Sequence, residues 1–406
     1  MIEFAYIANS ITATTTVVAV ALVLCLPAAM CEPTKCTKPE LKQCYCGKTT
    51  YDRQELYAVN CTGTSLSTTR SLEALTNLPD ETEVLIFTGN NLHELPCNVF
   101  GDNVNLSQKL RFVDMSNNNI KVIKGKSYHH VLAVERLILN NNNIGLDGIG
   151  FHHPRVFSNF VSLVELHLTS AFADNGVANI STDLYEVFQN SNLTRLAKLH
   201  LEHNKISSIK EPRVFCPLSN LLDLHLSNNL LTGIHFDISC MSHLRFIDLE
   251  SNRIRGFHEE DLAILDSAAV RSKLNNSTFA VDLTFNPFSC GCNIEIIYNW
   301  KRNTNVIVRN GDLIVCRQDV LGNPLDPYAD YHKFNCPIHT TLVDHNHEGH
   351  TMVILFVFGA VILFLGAVLY VSRFGLKRFR PEFNTSSRKI HYTTIDKCEE
   401  QEIQYV

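Results

Sequence analysis

Apolar residues along this chain keep returning in one spacing, L-x-x-L-x-L-x-x-N-x-L. It reads Leu110, Val113, Met115, Asn118, Ile120, then Val134, Leu137, Leu139, Asn142, Ile144, then Leu196, Leu199, Leu201, Asn204, Ile206. Leu221 to Leu231 around Asn229 and Leu244 to Ile254 around Asn252 match equally well, and looser copies centre on Asn90 and Asn286. Successive residues of a strand face opposite sides, so the fourth and sixth positions turn inward while the third and fifth form a concave outer face. The Asn falls where the chain leaves the strand. Its amide, with donors and an acceptor, can pair with backbone groups that no ladder satisfies, so stacked copies predict an Asn ladder.

One copy breaks the pattern. Leu163, Leu166 and Leu168 keep the strand, but Ala171 stands in the Asn position and the next Asn, Asn204, comes 33 residues later. The extra length, residues 169–195, carries glycan acceptors at Asn179 and Asn192 and is expected to be a solvated loop between two halves of a solenoid. Further acceptors are Asn60, Asn105, Asn275 and Asn276.

The fifth position of successive repeats spells Ile86, Asp114, Ile138, His167, His200, His225, Asp248, Asp282. Three histidines should therefore stand on neighbouring strands about 4.8 Å apart. Glu165, Lys198 and Asp223 fall in the adjacent column, making a polar patch that titrates near neutral pH. His167, His200, His225, Glu165 and Asp223 are the candidate ligand-binding residues. Cys216 and Cys240 occupy equivalent positions in consecutive repeats, so stacking brings them side by side on the convex rim, where a disulfide is expected.

The repeat resembles that of the extracellular leucine-rich repeat family, with five copies matching at every key position. The fold class is then an α/β leucine-rich repeat solenoid with disulfide-bonded N- and C-terminal caps, plus one transmembrane helix. The resemblance implies cap pairs Cys36 with Cys46, Cys44 with Cys61, Cys290 with Cys316 and Cys292 with Cys336; spacing alone leaves the connectivity open. Four features narrow it to Wnt-dampening surface members of that family. They are Phe87-Thr88-Gly89-Asn90-Asn91-Leu92, the Asn-less Leu163-Val164-Glu165-Leu166, the glycan-bearing insertion, and the membrane exit Leu369-Tyr370-Val371-Ser372-Arg373. This implies a plasma-membrane glycoprotein inhibiting Wnt/β-catenin signalling, with effects on adhesion or migration. The span from Cys46 to Cys61 is longer than the family's, and Gln404 replaces the residue of its C-terminal PDZ ligand.

Composition agrees with export. Fourteen cysteines suit an oxidising compartment, and 35 basic against 41 acidic residues give a net charge of −6, which offers nucleic acid no general attraction. Val17–Leu26 is an apolar run of signal-peptide length, with a cleavage zone at Pro27 to Cys31. Cleavage before Cys31 leaves it to pair with Cys97; cleavage after it leaves Cys97 a free or intermolecular thiol. Thr351 to Val371 is 21 residues without a charge, enough for one membrane crossing, and Arg373, Lys377, Arg378 and Arg380 place the C-terminus inside.

The organisation expected is a signal peptide (1–31), an N-terminal cysteine cap (32–78), about eight repeats (79–289), a C-terminal cysteine cap (290–337), a stalk (338–350), a transmembrane helix (351–371) and a cytoplasmic tail (372–406). No phosphate loop, nucleophile elbow or H-E-x-x-H occurs, so no catalytic site, cofactor or metal is expected, and His345, His347 and His350 read as part of a flexible stalk. In the tail, Tyr392 and Ile395 fit a Tyr-x-x-apolar sorting signal, and with Ile390 an inhibitory tyrosine motif. The partner expected is an extracellular or membrane protein, a Wnt-pathway component by resemblance. The other reading is an adhesion molecule, co-receptor or auxiliary membrane subunit whose tail carries the signal.

Overall fold

The computed structural model of the chain describes residues 33–145, 155–173 and 180–317. In chain order its strands are β1 (Thr34–Lys35), β2 (Tyr45–Tyr51), β3 (Gln54–Asn60), β4 (Val84–Ile86), β5 (Glu94–Leu95), β6 (Phe112–Asp114), β7 (Val122–Ile123) and β8 (Arg136–Ile138). They continue with β9 (Glu165–His167), β10 (Lys198–His200), β11 (Asp223–His225), β12 (Phe246–Asp248), β13 (Ala280–Asp282), β14 (Phe288–Ser289), β15 (Ile307–Arg309) and β16 (Cys316–Arg317). The α-helices are α1 (Thr68–Thr76), α2 (Val104–Lys109), α3 (Ile180–Gln189), α4 (Glu259–Leu274) and α5 (Cys292–Asn303).

Twelve strands make one sheet in the order β1-β2-β3-β4-β6-β8-β9-β10-β11-β12-β13-β15, parallel from β3 onward. Each repeat strand is only three residues long because the next turn begins as soon as the two inward leucines are placed. Leu137 and Leu139, Leu166 and Leu168, and Leu199 and Leu201 are all fully buried. Such side chains contribute roughly 1.5–3 kcal/mol each relative to exposure, and together they form one continuous core.

Beneath the strands runs the Asn ladder. Asn229 Oδ1 accepts from the backbone N–H groups of Asn204 and Ile206, both at 3.0 Å, while its Nδ2 donates to Leu201 O (2.9 Å) and Leu226 O (3.0 Å). Asn118, Asn142, Asn204, Asn252 and Asn286 repeat the theme. At Ala171 the rung is missing, and backbone replaces it: Ile144 N donates to Ala171 O (2.9 Å) and Ala173 N to Ile144 O (2.8 Å), closing a parallel bridge between Ile144 and Phe172. Backbone pairing thus takes over Ile144 N–H, one of the two N–H groups that an Asn at 171 would meet.

The insertion corrects the sequence expectation. Instead of a solvated loop, residues Ile180–Gln189 form α3, which buries Ile180, Leu184, Val187 and Phe188 in the core. Those four recur at helical spacing, i, i+4, i+7 and i+8, a periodicity outweighed at the sequence level by the flanking glycan acceptors. Asn192, just beyond the helix, is exposed as its acceptor motif requires.

Both ends are capped. At the N-terminus Cys36–Cys46 and Cys44–Cys61 are disulfides, and the extra length between Cys46 and Cys61 forms the β2–β3 hairpin, turned by Asp52 and Arg53 with positive φ. Its tip lies over the first repeats. The Tyr51 ring is 5.0 Å from that of Phe112 on β6, Arg111 Nη1 donates to Gln54 Oε1 (2.8 Å), and Arg136 Nη2 on β8 reaches Asp52 Oδ2 at 3.3 Å. At the C-terminal end Cys290–Cys316 ties β14 to β16, and Trp300 Nε1 on α5 donates to Asp266 Oδ1 on α4 (3.0 Å). Between the caps, Cys216–Cys240 joins consecutive repeats. Cys97 is also disulfide-bonded; Cys31, expected as its partner when cleavage falls before it, and Cys336, expected to pair with Cys292, lie outside the described residues.

Also outside the described residues are the segment 1–31, Asn179, the stalk with His345, His347 and His350, the apolar stretch 351–371, and the tail with Tyr392 and Ile395. Among the described residues no helix is long and apolar enough to cross a membrane.

Candidate functional site

Strand register sets the open face of the sheet. Parallel pairing aligns Ile86, Asp114, Ile138, His167, His200, His225, Asp248 and Asp282 in a single row, one residue from each of eight strands. The imidazoles of His167 and His200 stack with centroids 4.1 Å apart and planes 7° apart; those of His200 and His225 stack at 4.2 Å and 5°. The Phe246 ring stands edge-on to His225 at 5.5 Å and is covered on its own account by the Arg309 guanidinium at 3.9 Å.

Beside the histidines lies a web of charge. Glu165 receives Arg136 Nε (2.6 Å) and Lys198 Nζ (2.7 Å), and His167 Nε2 comes within 3.5 Å of its carboxylate without the alignment of a hydrogen bond. The adjacent His167, and then the bonds from Lys198 and Arg136, hold the Glu165 carboxyl well below the usual range despite its desolvation. Burial pushes the His167 imidazole below its ordinary value, against the pull of Glu165. His167 Nε2 is a buried ring nitrogen whose one polar neighbour among the described residues is the poorly aligned Glu165 carboxylate. Asp223, the other acid named from sequence, is fully engaged by Arg245, whose Nε and Nη2 reach its two oxygens at 2.7 and 2.8 Å.

Sequence reasoning missed Glu202. Its Oε1 is 2.8 Å from His200 Nδ1 and 4.0 Å from His225 Nδ1, and its Oε2 accepts from Thr169 Oγ1 at 2.7 Å. Burial raises this carboxyl, but the bonds from His200 and Thr169 outweigh it and the net shift is downward. Glu202 occupies the seventh repeat position, two past His200, and carrying the strand alternation one step beyond the last inward leucine would have placed it on the same face.

The two ends of the face differ. Toward the N-terminus Leu56, Ala58, Val84 and Phe112 form a small apolar cluster with Tyr51 and Ile86 packed against it. Toward the C-terminus Asp248, Glu250 and Asp282 gather, and burial together with the two aspartates pushes the Glu250 carboxyl up. Asn60, a glycan acceptor, pairs with Ile86 at the apolar end of the row, whereas Asn105, Asn275 and Asn276 are exposed away from the row.

Comparison with known proteins agrees with this architecture. The leucine rich repeat family pattern matches residues 193–254. Trophoblast glycoprotein of Macaca fascicularis is 24% identical over 331 residues, covering 78% of this chain and 74% of that protein, while podocan of Mus musculus is 26% identical over 219 residues, 44% of this chain and 34% of podocan. The crystal structure of human trophoblast glycoprotein, also titled Wnt-activated inhibitory factor 1, superposes with a TM-score of 0.59 at 22% identity, over 72% of this chain and 98% of that one. The chain folds as a disulfide-capped solenoid with a leucine-rich repeat pattern and is similar to trophoblast glycoprotein.

Proposed function

We propose that the chain is a single-pass cell-surface glycoprotein that binds a protein partner on the open face of its solenoid and thereby dampens Wnt signalling. The coarser part, an extracellular protein-binding role, follows from the disulfide-capped repeat fold and its relatives. The observation carrying the site is the stacked row His167, His200, His225, with a buried His167 Nε2 that makes no aligned hydrogen bond among the described residues, only a 3.5 Å approach to Glu165. A buried polar atom left unpaired costs free energy that an incoming acceptor or donor would recover. Glu165, held by Arg136 and Lys198, fixes the charge beside it. The Wnt reading is supported by the similarity to trophoblast glycoprotein, whose human form is also called Wnt-activated inhibitory factor 1. The apolar, charge-free stretch 351–371 followed by basic residues supports the single-pass topology.

The triple variant His167→Ala, His200→Ala, His225→Ala, expressed at normal surface level, tests the site. Loss of partner capture and of Wnt-reporter repression is the expected result. Retention of both would overturn the assignment of this face, and repression lost only on deletion of the tail would favour the auxiliary-subunit reading.

A further inference from the structure

Two imidazoles and two carboxylates converge on one spot of the sheet face. His200 Nδ1, Glu202 Oε1 and His225 Nδ1 all lie within 4.8 Å of one another, and Asp248 Oδ2 is 3.7 Å from His225 Nδ1. None of the four side chains is more than about a fifth exposed. The remaining oxygens are already occupied: Thr169 Oγ1 holds Glu202 Oε2 at 2.7 Å, and Glu250 N holds Asp248 Oδ1 at 3.0 Å. Each carboxylate is thus oriented through one oxygen and presents the other, the arrangement in which outer-shell hydrogen bonds aim metal ligands. The backbone beneath is rigid, because β10, β11 and β12 pair in register through His200, His225 and Asp248.

We propose that His200 Nδ1, His225 Nδ1 and Glu202 Oε1, completed by Asp248 Oδ2, bind a divalent transition ion of the zinc class. A mixed imidazole and carboxylate set of four suits Zn(II), whereas calcium and magnesium take six or more oxygens. Ligand atoms about 2.0–2.1 Å from a tetrahedral zinc stand roughly 3.3 Å from each other. Three of the separations here, 2.8, 3.7 and 4.0 Å, bracket that value, and the donor atoms of His200, Glu202 and His225 all lie within 4.8 Å, so side-chain rotation without backbone movement assembles the site. One ring must turn. A metal bonds in the plane of an imidazole and cannot lie in the planes of two parallel stacked rings, so loading swings His225 off His200 toward Asp248, while His200 keeps its stack on His167. The other gathering of such ligands, Cys216, Asp237 and Cys240, is closed to metal because its two sulfurs are joined in a disulfide.

The site does not rest on partner binding, so it can be read on the isolated chain. The experiment uses the full-length protein in detergent at pH 7.4, stripped with chelator, in a background where stalk residues His345, His347 and His350 are Ala. Titration with Zn(II) should show one saturable equivalent, and Co(II) should give the intense visible absorption of tetrahedral N/O coordination. Glu202→Gln and His225→Ala should each weaken uptake at least about tenfold. His167→Ala, outside the donor set, should leave one saturable equivalent, which separates metal binding by His200 and His225 from a general loss of the histidine row. No saturable uptake, uptake unaltered in both Glu202→Gln and His225→Ala, or only the weak absorption of octahedral Co(II) would each overturn the proposal. Near-UV circular dichroism of each variant guards against misfolding, and the Co(II) spectrum of the otherwise unmodified face decides even if a variant fails to fold.

Discussion

His167 and His200 stand ring on ring although 33 residues separate them, against 29 from Ile138 to His167 and 25 from His200 to His225. Their strands are adjacent because α3 packs its apolar side into the core and occupies the added length below the sheet. The face therefore stays continuous where the sequence is least regular.

Glu165 should govern the acid limb of stability. Its carboxyl titrates below its unfolded value, near 4.3, so its contribution is present above that pH and is lost as pH falls toward the folded value. Glu165→Gln should cost about 1–2 kcal/mol at pH 7, since Arg136 and Lys198 are exposed enough to regain water. Urea unfolding at pH 7, 5 and 3 should show the gap between the two proteins narrowing; a gap independent of pH would count against the web.

Asn229 is a rung rather than a surface amide. Asn229→Ala leaves the N–H groups of Asn204 and Ile206 without that acceptor in the core, while Leu201 O and Leu226 O keep the amides of Asn204 and Asn252, and should destabilise by about 2–4 kcal/mol. The adjacent Asn228, exposed, should change stability by under about 0.5 kcal/mol when mutated to Gly, which keeps its positive φ. Paired thermal melts distinguish them.

Phe188 tests the helix in the insertion. A solvated loop would lose almost nothing on truncation, whereas Phe188→Ala should cost about 3–4 kcal/mol by leaving a cavity under the sheet. Protease nicking near residue 190 should accelerate in step with the lost stability.

In the tail, Tyr392→Ala should raise the steady-state surface level by slowing internalisation. Antibody uptake measures it. An unchanged rate would dismiss sorting, and phosphorylation of Tyr392 with phosphatase capture would support the inhibitory motif instead.

Strand placement was readable because a period of two leaves no freedom: once Leu199 and Leu201 are inside, His200 is outside, and the whole row from Ile86 to Asp282 follows. Glu202 escaped notice because it lies just beyond the strand proper, where the chain still alternates for one residue. The helix α3 was present in the spacing of Ile180, Leu184, Val187 and Phe188 but competed with acceptor motifs that speak for exposure. Arg136 meeting Asp52 had no local signal at all. Two residues 84 apart are brought together by the length of a hairpin, and nothing near either one records the other.

That hairpin changes how the solenoid can come apart. In a stack where each repeat touches only its neighbours, the end frays one unit at a time. Here the cap's base pairs with β4 while its tip packs Tyr51 on Phe112 of β6 and grips β8 through Asp52 and Arg136, reaching past its immediate neighbour. The cap and the first three repeats are latched like the lid and rim of a jar, and must open together. Hydrogen exchange should show residues 84–138 protected to a common free energy, where an unlatched stack would grade smoothly from its end.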